Sequence, residues 1–133
     1  MDDWRIKVSV LWLFYAVALT AYMTLAGLEP GVLQKFLDEG TLEGIQVTPE
    51  LLFLFAVMIL APLVMAVASL TLRDRANRYA NLIVGTVFVI IQVVALGGTI
   101  AESSAAWMIL MEIAKLIAPI LIVWYTWKSR QKA

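Results

Sequence analysis

The stretch SAAWMILMEIAKLIAPILIVWYTW, residues 104–127, decides what this chain is. Coiled at about 1.5 Å per residue it is long enough to cross a hydrocarbon core of roughly 30 Å. Glu112 and Lys115 stand inside it, flanked on both sides by apolar side chains. An ionisable group at that depth costs about 2.5 to 3.5 kcal/mol on insertion scales, so such residues turn toward the protein interior and mark a pathway or a site. The two charges therefore single out the face of this segment on which function is to be sought.

The composition carries the same message over all 133 residues. Hydrophobic residues make up 62% and charged residues 15%, where a soluble domain carries about 25% charged. The lipid bilayer is thus the first partner. Ten basic and ten acidic residues cancel, which leaves no global field to recruit nucleic acid. Cysteine and histidine are absent, so disulfides, thiolate chemistry, the usual zinc sites and histidine-ligated haem drop out, and neither a metal nor a cofactor is expected.

Hydropathy draws four segments near 8–27, 49–72, 79–98 and 104–127, each long enough to span. They predict an all-α fold, a single integral membrane domain over 1–133 built as a four-helix antiparallel transmembrane bundle. The first apolar core exceeds the roughly 7 to 15 residues of a secretory h-region and reads as a retained signal anchor. Arg5, Lys7, Arg73, Arg75, Arg78, Lys128, Arg130 and Lys132 lie at one end and Lys35 alone at the other. That bias predicts a multi-pass protein of the inner membrane with both termini cytoplasmic. Trp4, Tyr79, Trp124, Tyr125 and Trp127 form an inner aromatic belt, while Tyr22 and Trp107 lie near the outer surface. The three arginines of 73–78 are explained by topology, with an anionic-lipid contact as a secondary reading.

Between the first two segments, Pro30 suits a first helical position and Gly40 a helix end, and Val32, Leu33, Phe36 and Leu37 share a face. A short extracytoplasmic surface helix is expected, followed by a flexible return through Gly40 and Gly44. Its acids, Glu29, Asp38, Glu39 and Glu43, read as a solvated face or as an acidic vestibule. Thr48-Pro49-Glu50 is a helix start: hydroxyl cap, proline at the first position, acid in the first turn. A Ser103 or Ser104 cap is expected to open the fourth segment.

Depth arithmetic gathers the candidate site. Thr20, Gln92 and Glu112 each lie about 10 to 12 Å from the outer ends of their helices, and Lys115 and Pro62 lie deeper, near the midplane. Ser104, Met108, Glu112, Lys115 and Pro119 follow one face of the fourth helix. Side chains lean toward a helix N-terminus, which aims Lys115 at Glu112. Glu112, Lys115, Gln92 and Thr20 are the candidate ligand-binding residues, with Pro62, Met58 and Met108 shaping the pocket. On the first helix Ser9, Trp12, Ala16, Thr20, Thr24 and Gly27 make a small and polar stripe suited to helix packing.

The segments Pro30–Asp38, Asn77–Gly85 and Ile122–Trp127 give the chain a resemblance to a group of small prokaryotic four-helix membrane proteins known as a domain of unknown function. That resemblance implies a bacterial or archaeal inner membrane and brings no activity or site residues with it. Small multidrug transporters are of similar size, but their working glutamate lies in the first helix, where this chain has no acid. DoxX-like and emopamil-binding-like bundles enclose an apolar pocket; Glu112 suits that arrangement, but a second deep acid is missing. Three functions follow in order: binding or transport of a small solute or ion by a homo-oligomer, a structural or partner-binding membrane subunit, and, last, a lipid-modifying enzyme.

Overall fold

The computed structural model describes residues 3–42, 44–102 and 105–131. Four long helices, α1 (Asp3–Gly27), α3 (Pro49–Thr71), α4 (Asp74–Ala101) and α5 (Ala106–Gln131), form the bundle, and each is long and apolar enough to cross a membrane. A short α2 (Val32–Glu39) and a two-residue ribbon, β1 (Thr41–Leu42) paired antiparallel with β2 (Ile45–Gln46), fill the α1–α3 connection.

The helices overrun the apolar segments. Helix α4 begins at Asp74, not near Tyr79, and α5 runs on to Gln131. Hydropathy ends where charge begins, but backbone hydrogen bonding does not. Asp74 occupies the first turn of α4, where a negative charge meets the positive end of the helix dipole, and pairs with Arg5 of α1. The segment 73–78 is therefore mostly helix rather than loop. At α3 the expected start is found, with Leu51 N–H donating to Thr48 Oγ1 at 3.2 Å and Pro49 in the first turn.

Helix α2 corrects two expectations. It starts at Val32, with Gly31 rather than Pro30 at its boundary, and the return is a ribbon instead of an unstructured link. Gly40 closes α2 at φ +69°, its N–H donating to Phe36 O, in the left-handed region where a glycine is favoured. Leu33 and Leu37 remain exposed, as suits a helix lying along an apolar surface. The Ser103 or Ser104 cap and Glu43 lie outside the described residues.

Helix α1 packs against α3 and α5, and α5 against α4, whereas α3 and α4 touch sparsely although only Leu72 and Arg73 join them. Helices α1 and α4 stand at opposite corners. Large side chains of α1 cross that diagonal: Trp12 and Tyr15, fully buried, meet Phe88 edge-on at ring separations of 5.5 and 5.1 Å. Val8, Leu19, Met65, Ala66, Ala118 and Ile122 complete the core. Between α4 and α5 the approach is close, since a Cβ on Gly85 would stand 2.9 Å from Val123 Cγ2. In lipid such contacts and interhelical hydrogen bonds hold helices together, because burying apolar surface away from lipid brings little gain.

Candidate functional site

Glu112 and Lys115 face the interior of the bundle, each 3% exposed, with Lys115 Nζ donating to Glu112 Oε1 at 3.0 Å. The three-residue spacing and the N-terminal lean of helical side chains bring them together as the sequence requires. Lys115 Nζ also lies 3.9 Å from the centroid of the Tyr22 ring, a cation–π contact from α1. Tyr22 packs against Trp107 at 5.7 Å, and the Trp107 indole N–H donates to Glu29 Oε1. These three residues roof the charges at the end of the bundle that carries α2. One turn along, Pro119 has no N–H to give, which deprives the Lys115 carbonyl of its usual helical partner.

On α4, Gln92 is buried and its Nε2 donates to the Tyr15 hydroxyl at 2.6 Å. Tyr15 and Tyr22 lie two turns apart on one side of α1, so Gln92, bound to the first, and Lys115 with Glu112, packed on the second, line one interior polar face drawn from α1, α4 and α5. The Glu112–Lys115 pair does not hydrogen-bond Gln92; Tyr15 takes that place. Two buried acceptors, Gln92 Oε1 and Glu112 Oε2, have no hydrogen-bond partner among the described residues. Each unsatisfied buried group costs about 1 to 3 kcal/mol, more when charged. Turned end for end, the Gln92 amide keeps its bond to Tyr15, whose O–H then donates, and presents an N–H on its free side.

Thr20 does not join this cluster. It is exposed, and its hydroxyl donates to Ala16 O of its own helix at 2.9 Å. Steps of four residues turn a helix by about 40° beyond a full circle, so a stripe of 12, 16, 20 and 24 winds off the buried face. Alternating steps of four and three stay on it, and they pass through Val8, Trp12, Tyr15, Leu19 and Tyr22. The two tyrosines are the side chains of this cluster that sequence reasoning missed, and this alternation is the signal that finds them. Pro62 is buried, whereas Met58 and Met108 are half-buried. Met58 packs on the core cluster from α3. Of the described acids near α2, only Glu29 bonds to a bundle helix, through Trp107; Asp38 accepts from Gln34 within α2.

A second buried polar group lies toward the end that carries the termini. Asn81 Oδ1 accepts from Trp12 Nε1 at 2.7 Å and from Ser69 Oγ at 3.2 Å, while its Nδ2 donates to Asn77 Oδ1 at 2.6 Å. Asn77 Nδ2 donates in turn to Ser69 O at 2.7 Å, and Ser9 Oγ to Ala66 O at 2.8 Å. None of the side-chain atoms of this network lacks a partner.

Neither the curated proteins nor the solved structures contain a match to this chain. The profile of DUF6326, a family of unknown function, matches residues 2–133. The chain belongs to that family.

Proposed function

We propose that the protein binds, and carries across the membrane, a small solute or ion that donates hydrogen bonds in the cluster of Tyr15, Tyr22, Gln92, Glu112 and Lys115. The observation that supports this reading is the pair of unpartnered buried acceptors, Gln92 Oε1 and Glu112 Oε2, beside a lysine already satisfied by Glu112 and Tyr22. Glu112 and Lys115 together bring no net charge. The vacant hydrogen-bonding capacity is a carboxylate oxygen and one end of an amide, suited to a ligand whose N–H or O–H group meets the carboxylate. The reading includes a homo-oligomer, and an inner-membrane topology with both termini cytoplasmic that the basic residues gathered at one end support.

A second reading, a structural or partner-binding subunit, is favoured by the fact that Glu112 and Lys115 pair within one helix turn. The two differ in a measurement. Thermal stability of the detergent-solubilised protein is followed with a panel of amines, polyols and amino acids, for the parent chain and for Glu112→Gln. A ligand at about 100 times its Kd stabilises the folded state by roughly 2.7 kcal/mol. Stabilisation lost in Glu112→Gln supports binding. No stabilising compound, with Glu112→Leu, Lys115→Leu as stable as the parent, sinks it in favour of the structural reading.

A further inference from the structure

The end of the bundle that carries the termini holds a cavity of about 220 Å³ lined by Arg75, Arg78, Tyr79 and Leu82 of α4 and Arg130 of α5. Three guanidinium groups thus share one small space. Among the described residues none of the three pairs with an acid, in contrast to Arg5, which is held by Asp74. Arg78 is fixed from behind: its Nε donates to Ser129 Oγ at 3.2 Å and its guanidinium lies 5.7 Å from the Trp4 ring. Arg130 stacks on Trp127 at 5.6 Å. Stacked and back-bonded guanidiniums keep their forked N–H groups free for an oxyanion, and a phosphate offers the matching geometry. Like charges gathered in this way repel until an anion arrives.

The face of α4 that carries the cavity continues along the helix. Arg75, Tyr79, Leu82, Thr86, Val89 and Val93 recur by steps of four and three, which places them on one side. Arg75, Tyr79, Thr86 and Val93 are exposed, and Leu82 and Val89 are half-buried. Charge at the end, a tyrosine at the boundary and an apolar strip beyond is the profile of an amphiphile lying along the helix. A free phosphate would use the arginines and leave the strip idle.

We propose that this cavity binds the phosphate of an anionic membrane lipid, with an acyl chain against the Leu82–Val93 face of α4. The site is separate from the Glu112–Lys115 cluster, and it stands whether or not that cluster binds a solute. Each charge-assisted bond from a guanidinium to the phosphate strengthens binding by about tenfold or more, so removing two weakens it roughly 100-fold.

Native mass spectrometry of the intact protein, with phosphatidylglycerol and phosphatidylcholine of identical chains, reads lipid retention directly. The expected result is preferential retention of phosphatidylglycerol, lost in Arg75→Gln, Arg130→Gln and kept in Arg73→Gln, Lys128→Gln, which removes equal charge away from the cavity. Equal retention of the two lipids by the parent chain overturns the proposal, and this comparison holds even if a variant fails to fold. Equal losses in the two double variants also overturn it, because attraction is then diffuse. Inorganic phosphate is the third arm: if it raises the melting temperature as much as phosphatidylglycerol does, the cavity belongs to a soluble phosphate compound instead.

Discussion

Two buried amides on α4, Asn81 and Gln92, are about three turns apart, and their surroundings differ. Asn81 spends its hydrogen-bonding capacity on protein: Trp12, Ser69 and Asn77 surround it from three helices. Gln92 has one partner, Tyr15, and an oxygen left over, and the nearby Glu112 has one as well. Polar groups inside a membrane protein are costly in both places. Where each is satisfied by another, the result is adhesion between helices. Where two buried acceptors stay open, as on Gln92 and Glu112, adhesion between helices does not account for them.

The sharpest way to break this contrast is Glu112→Leu. It strands the Lys115 ammonium in the bundle, a loss of about 3 to 5 kcal/mol, seen as a fall in melting temperature that Lys115→Leu largely restores. If the single substitution is tolerated without loss, the pair is not buried as described. Next is Asn81→Leu, which leaves the Trp12 N–H and an Asn77 oxygen without their partner, while the Ser69 hydroxyl keeps its bond to Met65 O. Stability drops by about 2 to 3 kcal/mol, given roughly 0.6 to 1 kcal/mol for each interhelical bond in lipid and a penalty for the strays. Ligand binding per folded molecule is retained. Gly85→Ala brings a methyl group against Val123 and costs about 1 to 3 kcal/mol as overpacking; a disulfide-trapping pair spanning α4 and α5 reads the accompanying separation.

Gln92→Leu is the mirror image of the asparagine substitution. It removes an open acceptor but leaves the buried Tyr15 hydroxyl without its partner; the two offset, so stability changes by less than about 1 kcal/mol, while ligand-induced stabilisation disappears. Equal behaviour of the two leucine variants erases the distinction between adhesive and vacant polar groups. The smallest effect belongs to Thr20→Val, within about 0.5 kcal/mol and without consequence for binding, since the hydroxyl faces away from the cluster; a binding defect there places the site on a different face of α1.

The four spans were legible because each carries its own length of apolar sequence, and Glu112 and Lys115 because charge inside such a length is rare. Helix ends were less so. Asp3 to Lys7, Asp74 to Arg78 and Lys128 to Gln131 are helical, but polar, and hydropathy registers solvent preference rather than backbone conformation. Thr20 was misplaced because a stripe drawn by four-residue steps drifts around the helix. Tyr15 escaped notice and Tyr22 was read as an outer-surface residue for another reason: tyrosine in a membrane segment reads first as a residue of the interfacial belt, and only the partners on α4 and α5 show that these side chains turn inward. The β1–β2 ribbon is two residues per strand, too short for any alternation to show.

The diagonal bridge between α1 and α4 also sets an order of events during synthesis. Ser9, Trp12 and Tyr15 emerge with the first helix, but their partners Ala66, Asn81 and Gln92 follow 57, 69 and 77 residues later. An incomplete chain therefore holds Ser9 without its partner until the second long helix arrives, and Trp12 and Tyr15 without theirs until the third. The last helix is the opposite case. Glu112 and Lys115 are three residues apart and neutralise one another within α5, so it enters the bilayer as a self-contained unit and docks onto a bundle whose first corner contacts are already made.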